Sequence, residues 1–266
     1  NQEELEPFTR EAFKVSAGFP VLIDRYLTGA IEVDVDSICD GKDVYIGGVM
    51  QHVEAAGVHS GDSACATPPH TLEPEMQRQL EEACKKIALA LDVRGLMNVQ
   101  LAVVGEEFYI IEINPRASRT VPYLSKATGV PLARVAAKIC VGITLEELGL
   151  AGHRASPAWC AVKEAVFPFD RFAGVDPILG PEMKSTGEVM GVDRDFQKAL
   201  TKALLAANLN LKPGTGVLLS IADQHKAEAV SLVRNLADAG CLLYATEGTA
   251  AMISAMGLPV NMTTKK

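Results

Sequence analysis

Three oxygen-bearing side chains, Gln100, Glu112 and Asn114, stand where a short hairpin would gather them. The apolar runs 101–104 and 108–113 flank Gly105-Glu106-Glu107, a hairpin signal. A turn centred on Glu106 sets Val104 against Phe108, Gln100 against Glu112 and Asn98 against Asn114. Side chains two apart share one face of a strand, and directly opposed ones have Cβ atoms about 4.5–5.5 Å apart. One carboxylate with two carboxamide oxygens suits magnesium, a hard cation that takes oxygen ligands and keeps places for phosphates and water. The same pattern also describes a polar, solvated hairpin face.

Immediately downstream, Asn114-Pro115-Arg116-Ala117-Ser118-Arg119 sets two guanidiniums three residues apart. A guanidinium meets phosphate or carboxylate with a planar fork. Such a pair beside a metal is what phosphoryl transfer requires, because that chemistry is mostly positioning and charge neutralisation. The alternative is a pair of ordinary surface arginines; the proline and small residues around them point instead to a tight, shaped loop.

The composition bounds what else the chain can do. At 266 residues, with 48% hydrophobic residues, it can bury a large core. A net charge of -8 argues against a general nucleic-acid binder. No apolar run approaches the length of a bilayer span, and Asn1-Gln2-Glu3-Glu4 lacks a signal-peptide pattern. The absence of an initiator methionine leads to the expectation that the chain starts inside a longer protein. Six cysteines are scattered without a CxxC pair, so a cytosolic (cytoplasmic) protein with reduced thiols is expected.

The elements that must position these residues are legible in part. Residues 21–27 are a short apolar run. Residues 31–36 alternate as a half-buried strand does, and 44–49 form another strand after the turn Asp40-Gly41-Lys42-Asp43. Residues 57–63 read as a loop. Pro74 opens a helix, where its missing N–H costs nothing; Met76, Leu80, Ala83, Ile87 and Leu91 supply its apolar face. A helix over 131–141 stops at Gly142. Residues 153–157 and 168–181 are turn-rich, and 196–207 reads as helical. After the turn 212–216 come a strand over 217–221, a helix over 226–239 with Gly240 as stop, a strand over 241–245 and a helix from Thr249. That alternation predicts a parallel α/β layer, with too few units for a sheet of ordinary size.

Longer runs resemble one family. Residues 93–100 and 111–122, with Glu32-Val33-Asp34-Val35-Asp36, residues 57–63, 125–131 and 183–191, are similar to the carbamoyl-phosphate synthetase large chain. The resemblance covers nearly the whole sequence. Arg119-Thr120-Val121-Pro122 resembles the second of that family's two ATP-grasp halves, the one that phosphorylates carbamate. Thr246-Glu247-Gly248-Thr249 is similar to its methylglyoxal-synthase-like regulatory domain. The implied fold class is α/β and α+β: the C-terminal portion of an ATP-grasp domain (1–150), the end of the synthetic region with a linker (151–211), and a partial Rossmann-like parallel α/β allosteric domain (212–266).

The resemblance also implies roles. Gln100, Glu112 and Asn114 match ligands of magnesium or manganese. Arg25, Leu27, Glu32, Gly57, Val58, His59 and Ser60, with Gln100 and Glu112, match ATP contacts, with Glu32 directed to the ribose hydroxyls. Asp34 and Asp36 are left as a solvated or structural face. Arg116 and Arg119 match the arginines at the phosphoryl-transfer site. Lys226, Thr246 and Thr249 match positions for nucleotide or ornithine effectors, and Lys265 a further effector-site lysine; helix capping is the other reading for the two threonines. The implied enzyme is a glutamine-dependent ligase that feeds arginine and pyrimidine synthesis. Its partner is a glutaminase small subunit, in a homo-oligomer of heterodimers, with no nucleic-acid or membrane partner. Without the family's upstream lobe and glycine-rich loop, the segment alone is expected to be inactive. The alternatives are a catalytically incomplete nucleotide- or effector-binding fragment and another ATP-grasp ligase such as a biotin carboxylase.

Overall fold

Strict alternation over residues 31–36 becomes β1 (Ile31–Asp40), an interior strand of a seven-stranded sheet. The computed structural model describes residues 2–153, 157, 159–169, 171 and 174–263. The chain forms two compact units, Asn1–Ala203 and Leu204–Lys266. In the first, α1 (Gln2–Val15) precedes an irregular stretch that includes residues 21–27. Then follow β1, β2 (Val44–His52), β3 (Cys65–Thr67), α2 (Pro74–Ala90), β4 (Arg94–Val104) and β5 (Glu107–Asn114). Next come α3 (Val121–Thr128), α4 (Leu132–Cys140), β6 (Cys160–Val166), β7 (Gly187–Asp193) and α5 (Phe196–Ala206). The sheet order is β5-β4-β1-β2-β3-β6-β7, and every neighbouring pair is antiparallel.

The two faces of β1 have different work. Val33, Val35 and Cys39 face α2, where Met76, Leu80, Cys84 and Ala88 complete a core with Met97, Val99, Leu101 and Val103 of β4. Leu91, predicted on that helical face, is exposed. On the opposite face, Ile38 and the partly buried Leu96 lie under α3 and α4, which bring Leu124, Leu132, Val135 and Ile139. Helix α3 approaches β2 so closely that a Cβ on Gly48 would stand 2.5 Å from Leu124 Cδ2. The polar positions of that same face, Glu32, Asp34, Asp36, Asn98 and Gln100, occupy the adjoining part of the sheet.

Residues 160–193 add two strands, β6 and β7, which flank the turn-rich stretch 168–181 and are not predicted from the sequence. Helix α5 packs on β7 at Gly191, where a Cβ would fall 2.0 Å from Ala199 O. The second unit holds β8 (Gly216–Leu219), a 3-10 turn (Asp223–His225), α6 (Lys226–Asp238), β9 (Leu242–Ala245), α7 (Glu247–Ala255) and β10 (Asn261–Met262). Its three strands run parallel in the order β10-β9-β8. Val233, Leu236, Leu243 and Ile253 form its core, while Leu218, Leu242 and Tyr244 remain exposed.

Candidate functional site

The hairpin pairs Gln100 with Glu112 and Asn98 with Asn114, as the sequence predicts. Its turn differs. Val104 pairs with Glu107 and Val103 with Phe108, so the loop is the two residues Gly105 and Glu106, with Gly105 at φ 60°. Val104 and Phe108 are therefore not partners. A bulge at Ile111 restores the register, since Leu101 pairs with Ile110 and Gln100 with Glu112. An extra residue shifts the faces of a strand by one. Phe108 and Ile113, five apart, can then both pack on the α2 core, while Glu112 and Asn114 take the polar side.

A cavity of ≈ 630 Å³ opens on that side. Glu32, Gly57, Val58, His59, Ser60, Gln100, Glu112, Asn114, Arg116 and Arg119 all line it. Arg25 and Leu27 do not line it; Arg25 is exposed, and Leu27 O accepts the Ala30 N–H in the irregular stretch before β1. Glu112 is exposed and has no hydrogen-bond or ion-pair partner among the described residues. Gln100 donates Nε2–H to Ser60 Oγ at 3.0 Å, which keeps its oxygen for another use. Asn114 Oδ1 accepts from Arg116 at 3.0 Å. The donor set is all oxygen with a single carboxylate, so these three residues fit magnesium or manganese.

Two carboxylates that the sequence leaves as a solvated or structural face prove structural. Asp36 is buried and accepts hydrogen bonds from Asn98, Ser118 and Thr120. Burial pushes its carboxyl up to about 6, against the lowering effect of those three bonds. It ties the loop that carries Arg116 and Arg119 to the sheet. Asp34 is buried beside His52, whose Nε2 lies 3.4 Å from Asp34 Oδ2. His52 Nδ1 lies 3.3 Å from Glu32 Oε2, yet it aligns with nothing as a hydrogen bond. Burial lowers the His52 pKa, but Asp34 and Glu32 overcome that and raise it to about 9. Burial raises Glu32, and the His52 ring and the Gly57 N–H together hold it below its usual value.

The loop over residues 57–61 is fixed from several sides. Glu32 Oε1 accepts the Gly57 N–H at 3.0 Å. His59 N–H donates to Gly180 O, and His59 Nδ1 accepts the Gly61 N–H at 3.0 Å. A neutral ring in that tautomer carries its proton on Nε2. Asp62 is buried and receives the Lys184 and Ser185 N–H groups. Burial raises its carboxyl, and those hydrogen bonds bring it below the usual range. The segment 183–191 thus braces the loop from β7's side. Lys163 of β6 also reaches it, with Nζ 3.3 Å from Ser60 O. Sequence reasoning missed His52 and Lys163. The available signals were a histidine in phase with Glu32 and Asp34 across the strand pair, and a lone lysine inside an apolar strand.

A family model described as the carbamoyl-phosphate synthase L chain, ATP binding domain, matches residues 1–148, more than half of the 266. The chain belongs to the carbamoyl-phosphate synthase large-chain family. An MGS-like domain model matches residues 228–266. The large chain of Pseudomonas syringae pv. tomato is 52% identical over 264 residues, covering 99% of this chain and 24% of that protein. That of Methanosarcina barkeri is 49% identical over 266 residues, covering 100% of this chain and 66% of that protein. The chain spans about a quarter of the length of the bacterial relatives. Among solved structures, the biotin carboxylase domain of a single-chain bacterial carboxylase superposes with a TM-score of 0.57 at 20% identity, over 73% of this chain and 50% of that one. It shows the shared ATP-grasp fold.

Within the MGS-like unit of this large-chain segment, Lys226, Thr246 and Thr249 line one cleft of ≈ 890 Å³. Lys226 pairs with Asp223 at 2.7 Å. Thr246 occupies the N-cap position of α7, yet its hydroxyl makes no capping bond. Thr249 is buried, and its Oγ1 accepts the Ile221 N–H at 2.9 Å. Lys265 lies outside the described residues. Among these residues no helix is long and apolar enough to cross a membrane, and all six cysteines are free.

Proposed function

We propose that this segment supplies the nucleotide and metal face of the carbamate-phosphorylating half of a carbamoyl phosphate synthase large chain. One relationship supports it above the others: Gln100 and Glu112 stand opposite each other, in one cavity with Arg116 and Arg119. Gln100, Glu112 and Asn114 would hold magnesium or manganese, which when bound neutralises phosphate charge and orients the nucleotide. Glu32 and the loop 57–60 receive ATP, with Glu32 at the ribose. Arg116 and Arg119 balance the charge of the moving phosphoryl group. A carbamate oxygen forms the new P–O bond as the bond from the γ-phosphorus to the β–γ bridging oxygen of ATP breaks, leaving carbamoyl phosphate and ADP.

The full reading includes glutamine-derived ammonia delivered by a glutaminase small subunit, product flow to arginine and pyrimidine synthesis, and a cytoplasmic enzyme assembled as an oligomer of heterodimers. Lys226, Thr246 and Thr249 would form a nucleotide or ornithine effector site. The 266-residue chain by itself should not make carbamoyl phosphate, because Glu112 faces open solvent and phosphoryl transfer needs a dry site.

The test is ATP formation from carbamoyl phosphate and ADP by a full-length large chain carrying this segment. Glu112→Ala should abolish it while leaving Tm unchanged, since the side chain is exposed and unpartnered among the described residues. Wild-type rates at limiting magnesium would sink the assignment.

A further inference from the structure

Lys163 is 1% exposed, yet it lines the cavity that holds Gln100, Glu112 and Arg119. An ammonium has three N–H donors. Among the described residues it makes one hydrogen bond, to Ser60 O at 3.3 Å, and no carboxylate lies within ion-pair distance. A buried charge is costly unless it is paired. Two carboxylates feel its field without pairing with it. Burial pushes Glu164 up to about 7, aided by Glu54, and burial raises Glu54 as well.

The lysine meets the nucleotide loop at Ser60, but it stands apart from the metal-facing hairpin and the two arginines. Gln100 reaches the hydroxyl of Ser60 from β4, and Lys163 reaches its carbonyl from β6. Between β4 and β6 the sheet interposes β1, β2 and β3. The metal-facing carboxylate and both arginines come from β5 and the loop after it. The polyphosphate charge therefore already has its partners, all on one flank. Lys163 approaches from the other, out of bulk water, where a small anion held for in-line attack gains most from a fixed cation.

We propose that Lys163 is the binding residue for the carboxylate of the phosphoryl acceptor, a small carbamate-like anion, and that this anion completes the lysine's hydrogen bonds. This rests on the phosphoryl-transfer function proposed above. The replacement Lys163→Met keeps much of the volume and removes the charge. It is made in the full-length large chain, and ATP formation from carbamoyl phosphate and Mg-ADP is measured. Losing a charge-assisted hydrogen bond should raise KM for carbamoyl phosphate about tenfold to a hundredfold, with KM for Mg-ADP unchanged. Lys163→Arg should recover part of the loss. Equal rises in both KM values, or a rise for Mg-ADP alone, would make Lys163 a support of the Ser60 loop or a nucleotide ligand and overturn the proposal. An unchanged KM for carbamoyl phosphate would overturn it too. So would a fall in Tm of more than about 5 °C, because removing an unpaired buried charge should not weaken the fold. If the parent enzyme forms no ATP from carbamoyl phosphate, the phosphoryl-transfer function itself fails; that result is separate from the behaviour of the variant.

Discussion

Asn98 Nδ2 donates to Asp36 Oδ1 at 2.9 Å, across the β1–β4 pair and out of reach of water. The second oxygen of Asp36 takes the hydroxyls of Ser118 and Thr120. The charged loop of the site is thereby pinned by a residue that does not line the cavity.

Asp36→Ala should destabilise the first unit by about 3 kcal/mol, because three buried donors lose their acceptor. It should also lower kcat more than it changes nucleotide KM, since Arg116 and Arg119 lose their anchor. The sign of the pH dependence follows from the raised carboxyl. Its contribution is fully present below the ordinary value of 3.8 and is lost as pH rises through about 6. Asp36→Asn should remove that slope. Denaturant unfolding at pH 4 to 7 measures both effects.

His52 predicts a different window. A histidine raised to about 9 contributes stability below 6.5 that is lost as pH climbs through 9. The loss is on the order of 3 kcal/mol for a pKa displaced that far. His52→Gln should flatten Tm between pH 6.5 and 9. A parent protein equally stable at both ends would show that the ring is not charged in the fold.

Gly191→Ala should cost about 3 kcal/mol or more, through overpacking against backbone rather than a movable side chain. The added Cβ meets Ala199 O at 2.0 Å and Ala203 N at 2.5 Å. Thermal unfolding of the variant, read by circular dichroism, is sufficient to check it.

The two threonines of the MGS-like cleft should separate. Thr249→Val leaves the Ile221 N–H without its acceptor and should destabilise the second unit by about 1–3 kcal/mol. Thr246→Val removes a hydroxyl whose bond to Ser220 Oγ is long, at 3.4 Å. It should leave stability within about 0.5 kcal/mol of the parent while weakening the response to an anionic effector. Unfolding curves and effector titrations of the full-length large chain distinguish the two roles.

The sequence by itself determined β1, β2, the β4–β5 hairpin, β8 and β9, and the pairing of Gln100 with Glu112, because alternation and turn residues are local properties. It also determined the family, through long runs such as residues 111–122. It did not determine how the hairpin reached that pairing. The two-residue turn and the bulge at Ile111 depend on which side chains the α2 core will accept, and Phe108 and Ile113 claim the same face only once the sheet is packed. Nor could it place β6 and β7: β6 is buried along most of its length and β7 is mostly exposed or partly buried, so neither alternates cleanly. Lys163 and His52 entered the site through strand pairing: β6, far along the chain, sets Lys163 beside the Ser60 loop, and the β1–β2 pair sets His52 beside Glu32. Those neighbours, and the burial that shifts the His52 pKa, exist only after the sheet closes over them. Tertiary structure alone decided them, since desolvation and charge pairing are properties of the assembled interior.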